Sequence, residues 1–122
     1  MDDEALLRQV GTAILRRQGY DVCAVSDGAD ALLEFTKALQ AGRPYSLAIL
    51  DLTIPGGMGG GQALEELRKL NPALKAIVSS GYSKDAVLSN YQAHGYQGMV
   101  SKPYSAEDLA RAVDSVLSGG RA

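Results

Sequence analysis

The stretch Ser46-Leu-Ala-Ile-Leu-Asp51-Leu-Thr-Ile-Pro55 decides the fold of this chain. Its residues 47–50 form an unbroken apolar run that is too short for a whole helix, and such a run is typical of a strand buried on both faces of a parallel sheet. The run ends in a carboxylate, and Pro55 followed by Gly56 stops regular structure. Because the chemistry of open α/β sheets lies outside the carboxyl ends of the strands, Asp51 is the first candidate functional residue.

The composition predicts one globular domain. The chain has 122 residues, of which 46% are hydrophobic and 21% charged, and we expect the domain to cover residues 1–118, with residues 119–122 as a tail. A formal net charge of -2 argues against a nucleic-acid partner. No apolar run approaches the ~20 residues of a membrane span, and we expect a cytoplasmic domain without membrane contact. Cys23 is the single cysteine, which excludes an internal disulfide.

Helical and strand patterns alternate along the chain. This alternation predicts an α/β fold with a doubly wound parallel sheet. The chain opens on a helix, so a strand is missing before Glu4; that strand would end at Asp2-Asp3, and we expect the protein to begin a few residues upstream. We expect Asp2 or Asp3 to cap the first helix. The four predicted strands cover residues 20–25, 47–51, 74–79 and 97–101. Five helices are predicted. The first covers residues 4–18, the second is capped by Ser26-Asp27 and ends near Gly42, the third ends at Asn71-Pro72, the fourth runs from Ser83 to Gly95, and the fifth is capped by Ser105 with Asp108.

Polar residues follow the ends of the predicted strands. Parallel strands place their carboxyl ends along one edge of the sheet, which brings together Asp2, Asp3, Asp51, Ser79-Ser80 and Lys102. Clustered carboxylates resist full ionisation unless a cation joins them, and Mg²⁺ prefers oxygen ligands and phosphate. Carboxylates, Mg²⁺, a lysine and a hydroxyl together favour phosphoryl transfer onto an aspartate.

These motifs resemble the receiver domains of bacterial response regulators. The acidic opening Asp2-Asp3-Glu4, the strand-terminal Asp51 with Pro55, Ser80-Gly81 and Lys102-Pro103 occur in the family's order and spacing. The segments over residues 51–60 and 77–83 look most like receivers of hybrid sensor histidine kinases. The resemblance implies a flavodoxin-like sheet of order 2-1-3-4-5 with five helices, the first strand being missing or truncated here.

The resemblance also implies a role for each site residue. Asp51 would accept a phosphoryl group from phosphohistidine, and Mg²⁺ would be held by Asp2, Asp3, Asp51 and the backbone carbonyl of Thr53. The partners would be a histidine kinase or histidine phosphotransfer protein and a downstream protein that reads the phosphorylated state. Ser80 and Lys102 would each bind a phosphoryl oxygen, and the Lys102-Pro103 bond would be cis.

Two positions depart from the family's pattern. Met99 stands where the family often has a tyrosine or phenylalanine, which makes an aromatic switch at that position doubtful. The loop after Pro55 carries an additional glycine and lacks the usual aspartate, and we expect this loop to be mobile.

Two alternatives to the phosphoacceptor remain open. One is a degenerate receiver that acts only as a protein-interaction module. The other is a Mg²⁺-dependent phosphatase resembling the haloacid-dehalogenase family, but Thr53 stands where that family has its second aspartate. A free-standing regulator and the receiver of a hybrid kinase both fit the sequence.

Overall fold

The computed structural model describes residues 1–81 and 86–119 as a parallel sheet with helices on both faces. Within these residues the sheet has three strands in the order β1-β2-β3, with Asp51 opposite Ser79 and Ser80 opposite Ser101. The strands are β1 Leu47–Asp51, β2 Lys75–Ser80 and β3 Gly98–Ser101; the helices are α1 Ala5–Arg17, α2 Gly28–Gln40, α3 Gly60–Leu70, α4 Ala86–Ser89 and α5 Ala106–Leu117, with a 3₁₀ helix at Tyr91–His94.

Each face of the sheet carries its own apolar cluster. The alternation of side chains along a strand divides neighbours between the two faces, so Leu50 and Val78 join one cluster while Ile77 joins the other. Helices α2, α3 and α4 cover the first face, and α1 and α5 cover the second. The buried helical members are Phe35, Ala63, Leu64, Leu67 and Leu88 on the first face, and Leu15, Leu109, Val113 and Val116 on the second. The predicted doubly wound α/β architecture is therefore present.

The predicted strand over residues 20–25 does not form, and the sheet has three of the four expected strands within the described residues. An extended segment becomes a strand only when a neighbour completes its ladder of hydrogen bonds. Here the ladder is reduced to one bond, from the Asp2 N–H to the Val25 carbonyl at 3.0 Å. Residues 20–25 and β1 both line a cavity of about 840 Å³, with Phe35 and Leu109 also in its wall.

The first two residues lie between this segment and β1. The Met1 amino group donates to the Ile49 carbonyl at 2.8 Å, and the Asp51 N–H donates to the Met1 carbonyl at 3.1 Å. Met1 and Asp2 thus bridge Val25 and β1 in strand fashion. This pairing places Asp2 at the same edge as Asp51, as the sequence predicts.

Two helix boundaries differ from the prediction. Glu4, and not Asp2 or Asp3, is the N-cap of α1; the Asp2 carboxylate instead accepts from the Glu4 N–H at 2.9 Å. The fourth helix is split, since Asn90 leaves helical geometry between α4 and the 3₁₀ helix. Gly95 ends that 3₁₀ helix at φ 90°, which confirms the predicted stop. The predicted cap Ser83 lies outside the described residues.

The loop from Leu52 to Gly59 folds back on itself. The Gly57 N–H donates to the Ile54 carbonyl at 3.1 Å, and with Pro55 next and Gly56 at φ 72° this is the pattern of a type II turn. At Gly59 a side chain would lie 2.6 Å from the Leu52 carbonyl, so only glycine fits where the ends of the loop meet.

Arg68 ties α3 to the edge of the sheet opposite Asp51. Its guanidinium donates to the Leu74 carbonyl at 3.1 and 3.2 Å, to the Gly95 carbonyl, and to the Gln97 side chain at 3.0 Å. Leu74 precedes β2, and Gly95 and Gln97 precede β3. One planar side chain with several fixed donors therefore joins three segments of the chain.

Candidate functional site

Asp51 is the last residue of β1 and is 3% exposed. Its Oδ2 accepts a hydrogen bond from Lys102 Nζ at 3.0 Å, and its Oδ1 accepts a longer one from the Thr53 N–H at 3.4 Å. Burial raises the pKa of Asp51, and this effect outweighs the hydrogen bond and positive charge of Lys102, which lower it. The carboxylate is thus held at the edge of the sheet in a largely dry position.

Asp2 and Asp3 complete an acidic cluster with Asp51. Asp2 is 8% exposed, and its Oδ2 lies 2.7 Å from Lys102 Nζ, whereas Asp3 is exposed. One carboxylate oxygen from each of the three residues lies within 4.8 Å of the others. Arg8 holds the backbone beside the cluster by donating to the Asp2 carbonyl at 2.7 Å. The structure therefore brings together the three carboxylates that the sequence predicts.

Lys102 lies between the two buried carboxylates. It follows β3 directly, its N–H donates to the Ser80 carbonyl at 2.8 Å, and the Lys102-Pro103 peptide bond is cis, as the resemblance implies. Burial lowers the pKa of Lys102, but the hydrogen bonds and negative charges of Asp2 and Asp51 outweigh it, so the pKa is raised. The ammonium is thus held charged beside the candidate nucleophile.

The acidic cluster fits a small hard cation. Its donors are carboxylate oxygens from a buried pair and one exposed residue, and Mg²⁺ takes such ligands together with waters and phosphate oxygens. Lys102 pairs with two of the three carboxylates and can balance the charge of only one of them. The chemistry of the donor set therefore fits Mg²⁺, and the backbone carbonyl of Thr53, two residues after Asp51, is a further candidate ligand.

Two serines lie at the end of β2. Ser80 is 1% exposed and is the last residue of the strand, one position beyond the residue that pairs with Asp51. Ser79 is that pairing residue, and its buried Oγ has no hydrogen-bond partner among the described residues. The sequence predicts Ser80 as the functional hydroxyl and gives no signal that Ser79 is buried without a partner.

Tyr96 is a second buried group that the sequence does not single out. It is 2% exposed, its hydroxyl has no partner within the described residues, and burial raises its pKa. A side chain at Gly60 would lie 3.2 Å from this hydroxyl and 2.9 Å from the Asp51 carbonyl, so Tyr96 lies just beneath the start of α3. Met99, at the position of the usual aromatic residue, packs against the same apolar cluster.

The chain matches a known protein family over most of its length. The model of the response regulator receiver domain matches residues 1–114, which is almost the whole chain. The chain belongs to this family. The aspartate cluster, the lysine and the cis proline thus stand in a receiver domain of two-component signalling.

Similar proteins include both sensor kinases and regulators. The chain is 35% identical over 117 residues to the sensor kinase CckA of Brucella abortus, which covers 96% of this chain and 12% of that protein. It is 31% identical over 120 residues to the sensor histidine kinase AruS of Pseudomonas aeruginosa, covering 95% of this chain and 11% of that protein. The sensory transduction protein RegX3 of Mycobacterium bovis is 30% identical over 120 residues, covering 98% of this chain and 50% of that protein. The chain therefore spans half or less of the length of these relatives.

Solved structures agree on the fold. The receiver domain of NtrX from Brucella abortus has a TM-score of 0.85 at 24% identity, with 97% of this chain and 95% of that chain covered. A receiver domain protein from Clostridium thermocellum has a TM-score of 0.81 at 24% identity, with 96% of this chain and 90% of that chain covered.

The similarity to the sensor kinases CckA and AruS confirms the resemblance that the sequence suggests. Among the described residues, the helices are all too short or too polar to span a bilayer.

Proposed function

We propose that this receiver accepts a phosphoryl group on Asp51. The observation that carries the proposal is the position of Lys102 Nζ, which lies 2.7 Å from Asp2 and 3.0 Å from Asp51 beside a third carboxylate. Burying two carboxylates and a lysine is costly for stability and is weak evidence of a structural role. The same arrangement is useful for phosphoryl transfer, in which positioning and charge stabilisation supply most of the catalysis.

In the proposed reaction an oxygen of Asp51 attacks the phosphorus of a phosphohistidine. The new O–P bond forms as the N–P bond breaks, and the bonding electron pair returns to the imidazole nitrogen of the donor. Lys102, which contacts Asp51 Oδ2 before transfer, then pairs with a phosphoryl oxygen. The Ser80 hydroxyl binds another, and Asp2, Asp3, Asp51 and the Thr53 carbonyl would hold Mg²⁺. Bound Mg²⁺ supplies positive charge that stabilises the transferring phosphoryl group.

The proposed donor is a histidine kinase or a histidine phosphotransfer protein, and a downstream protein reads the phosphorylated state. We also propose a cytoplasmic location, which fits a chain with a single cysteine. The similarity to CckA and AruS favours a receiver that works within or beside a sensor kinase. The receiver domain comprises residues 1–118 in this proposal.

Amide NMR with beryllofluoride and Mg²⁺ tests the proposal, because this complex mimics an aspartyl phosphate. We expect chemical-shift changes centred on Asp51, Ser80 and Lys102 that are absent in Asp51→Asn. Asp114→Asn, an exposed carboxylate on α5, is the matched control and should respond like the wild type. If the folded wild-type protein shows no chemical-shift change on addition of beryllofluoride and Mg²⁺, the phosphoacceptor function is refuted. The protein-interaction module is then the favoured hypothesis.

A further inference from the structure

The loop that carries Thr53 touches the start of α2. The Gly28 N–H donates to the Met58 carbonyl at 2.9 Å, which joins the first residue of α2 to the far part of the loop. A side chain placed on Gly57 would lie 3.5 Å from Asp27 Cβ, so the two segments are also close at a second point. Nothing in the proposed reaction uses this contact, yet it bears directly on where the loop lies.

Gly28 makes room for the side chain of Met58. A methyl group on Gly28 would lie 2.6 Å from both Cγ and Sδ of Met58 and 2.8 Å from its Cβ. These are near atoms of the side chain and not its flexible tip, so Met58 could not move aside without moving its backbone. Met58 also packs against the apolar cluster on this face of the sheet, which restricts its escape further.

The start of α2 is itself firmly placed. Asp27 caps the helix by accepting from the Asp30 N–H at 2.9 Å, and Phe35, which is 3% exposed, anchors the helix to the sheet. At the other end of the loop, Gly59 and Leu52 meet at close range. The loop is thus held at two points. Its two ends meet where Gly59 approaches Leu52, and its later part is held where Met58 contacts the start of α2.

We propose that Gly28 is a positioning residue for the Mg²⁺ site, because its contact with Met58 sets the conformation of the loop that presents the Thr53 carbonyl. This inference rests on the proposed function and adds a residue that does not contact the metal. A side chain at Gly28 displaces Met58, and the displacement passes along the loop to Thr53. The start of α2 thereby positions the metal site through the loop, without contacting the metal itself.

The test compares Gly28→Ala with Gly61→Ala, a control with nothing within 4 Å of the added methyl group. We expect Gly28→Ala to raise the dissociation constant for Mg²⁺ alone, followed by amide NMR, by ~10-fold or more, the usual effect of losing a supporting residue around a metal. In the metal-free protein, Gly28→Ala should also shift the amide signals of residues 52–59. Gly61→Ala should leave both measurements unchanged.

A double-mutant cycle separates positioning from general destabilisation. The Met58→Gly background lacks the three atoms nearest to the added methyl group, so adding Gly28→Ala should have no further effect on the dissociation constant. Gly57→Ala is a milder variant for use if Gly28→Ala does not fold; its methyl group would lie 3.1 Å from Ile54, and we expect a smaller loss of Mg²⁺ affinity.

Three results would overturn the inference. Gly28→Ala could lower the melting temperature while binding Mg²⁺ like the wild type, which would make Gly28 merely structural. Its effect could persist unchanged in the Met58→Gly background, which would exclude the contact with Met58 as the cause. A folded wild type that binds no Mg²⁺ would overturn the proposed function as well, and this outcome is distinct from the first two.

Discussion

Replacing Lys102 with methionine removes the one side-chain cation, among the described residues, that pairs with the carboxylates of both Asp2 and Asp51. The lysine side chain is 11% exposed and those of its partners are 12% and 5% exposed. Methionine keeps the volume and the apolar stem but leaves two buried carboxylates unpaired. Breaking a buried pair by removing one partner typically costs ~3–5 kcal/mol.

A second argument limits this loss. A buried aspartate that has lost its partner can take up a proton and become neutral. For an aspartate of ordinary pKa, this protonation costs about 4 kcal/mol at pH 7, which sets an upper limit on the loss. We therefore expect Lys102→Met to lower the free energy of unfolding by about 3–4 kcal/mol in metal-free buffer. Added Mg²⁺ should recover part of this loss, because ligand that binds only the folded state stabilises it, and the variant offers Mg²⁺ an acidic cluster without a competing ammonium.

Urea denaturation with EDTA or with Mg²⁺ measures both effects. Lys69→Met is the matched control, since Lys69 is 70% exposed in its pair with Glu66 and such pairs contribute at most about 1 kcal/mol. If Lys102→Met lost no more stability than Lys69→Met in EDTA, the two carboxylates would not depend on the lysine. If Mg²⁺ stabilised the variant less than the wild type, the competition between cations would be refuted.

Three further substitutions test the core, a helix cap and the loop. Leu67→Ala should lower the free energy of unfolding by ~2–5 kcal/mol because Leu67 is 1% exposed, while Leu70→Ala, at 44% exposure on the same helix, should cost much less; equal losses in urea denaturation would contradict the assigned core. Ser105→Ala should cost about 1 kcal/mol by the same measurement, and an unchanged midpoint would show that the capping box of α5 is dispensable. Gly59→Ala should cost ~1–3 kcal/mol because its methyl group would meet the Leu52 backbone, and a wild-type melting temperature would show that the loop adapts freely.

The periodic segments of the sequence predict most of the fold. The apolar runs give β1, β2 and β3 to within a residue or two, and the Ser105-Asp108 pair gives the start of α5 with its capping box. The site residues follow from the rule that parallel strands end at one edge, so Asp2, Asp51 and Lys102 are found together.

The errors occur where a local pattern depends on a distant partner. Residues 20–25 have strand propensity, but a strand needs a neighbour, and here only the Asp2 N–H reaches Val25. Asp2 resembles a helix cap in sequence, yet Lys102 engages its carboxylate and Glu4 takes the N-cap position. The contact between Gly28 and Met58 joins residues far apart in the chain, and a glycine at a helix start does not reveal it.

The hydrogen bonds of Arg68 to Leu74, Gly95 and Gln97 make the two ends of the sheet different, because they hold together only the end at which β2 and β3 begin. Arg68 joins α3 to the segments that lead into β2 and β3, whereas the loops that leave Asp51, Ser80 and Lys102 lie at the other end. A lysine in its place would carry its donors on one compact ammonium and would lack the planar fork that spreads the guanidinium donors over the three acceptors. In the proposed reaction, the negative charge added at Asp51 would meet strands that Arg68 holds together at their other end, so we expect the loops around the site to move more than the strands.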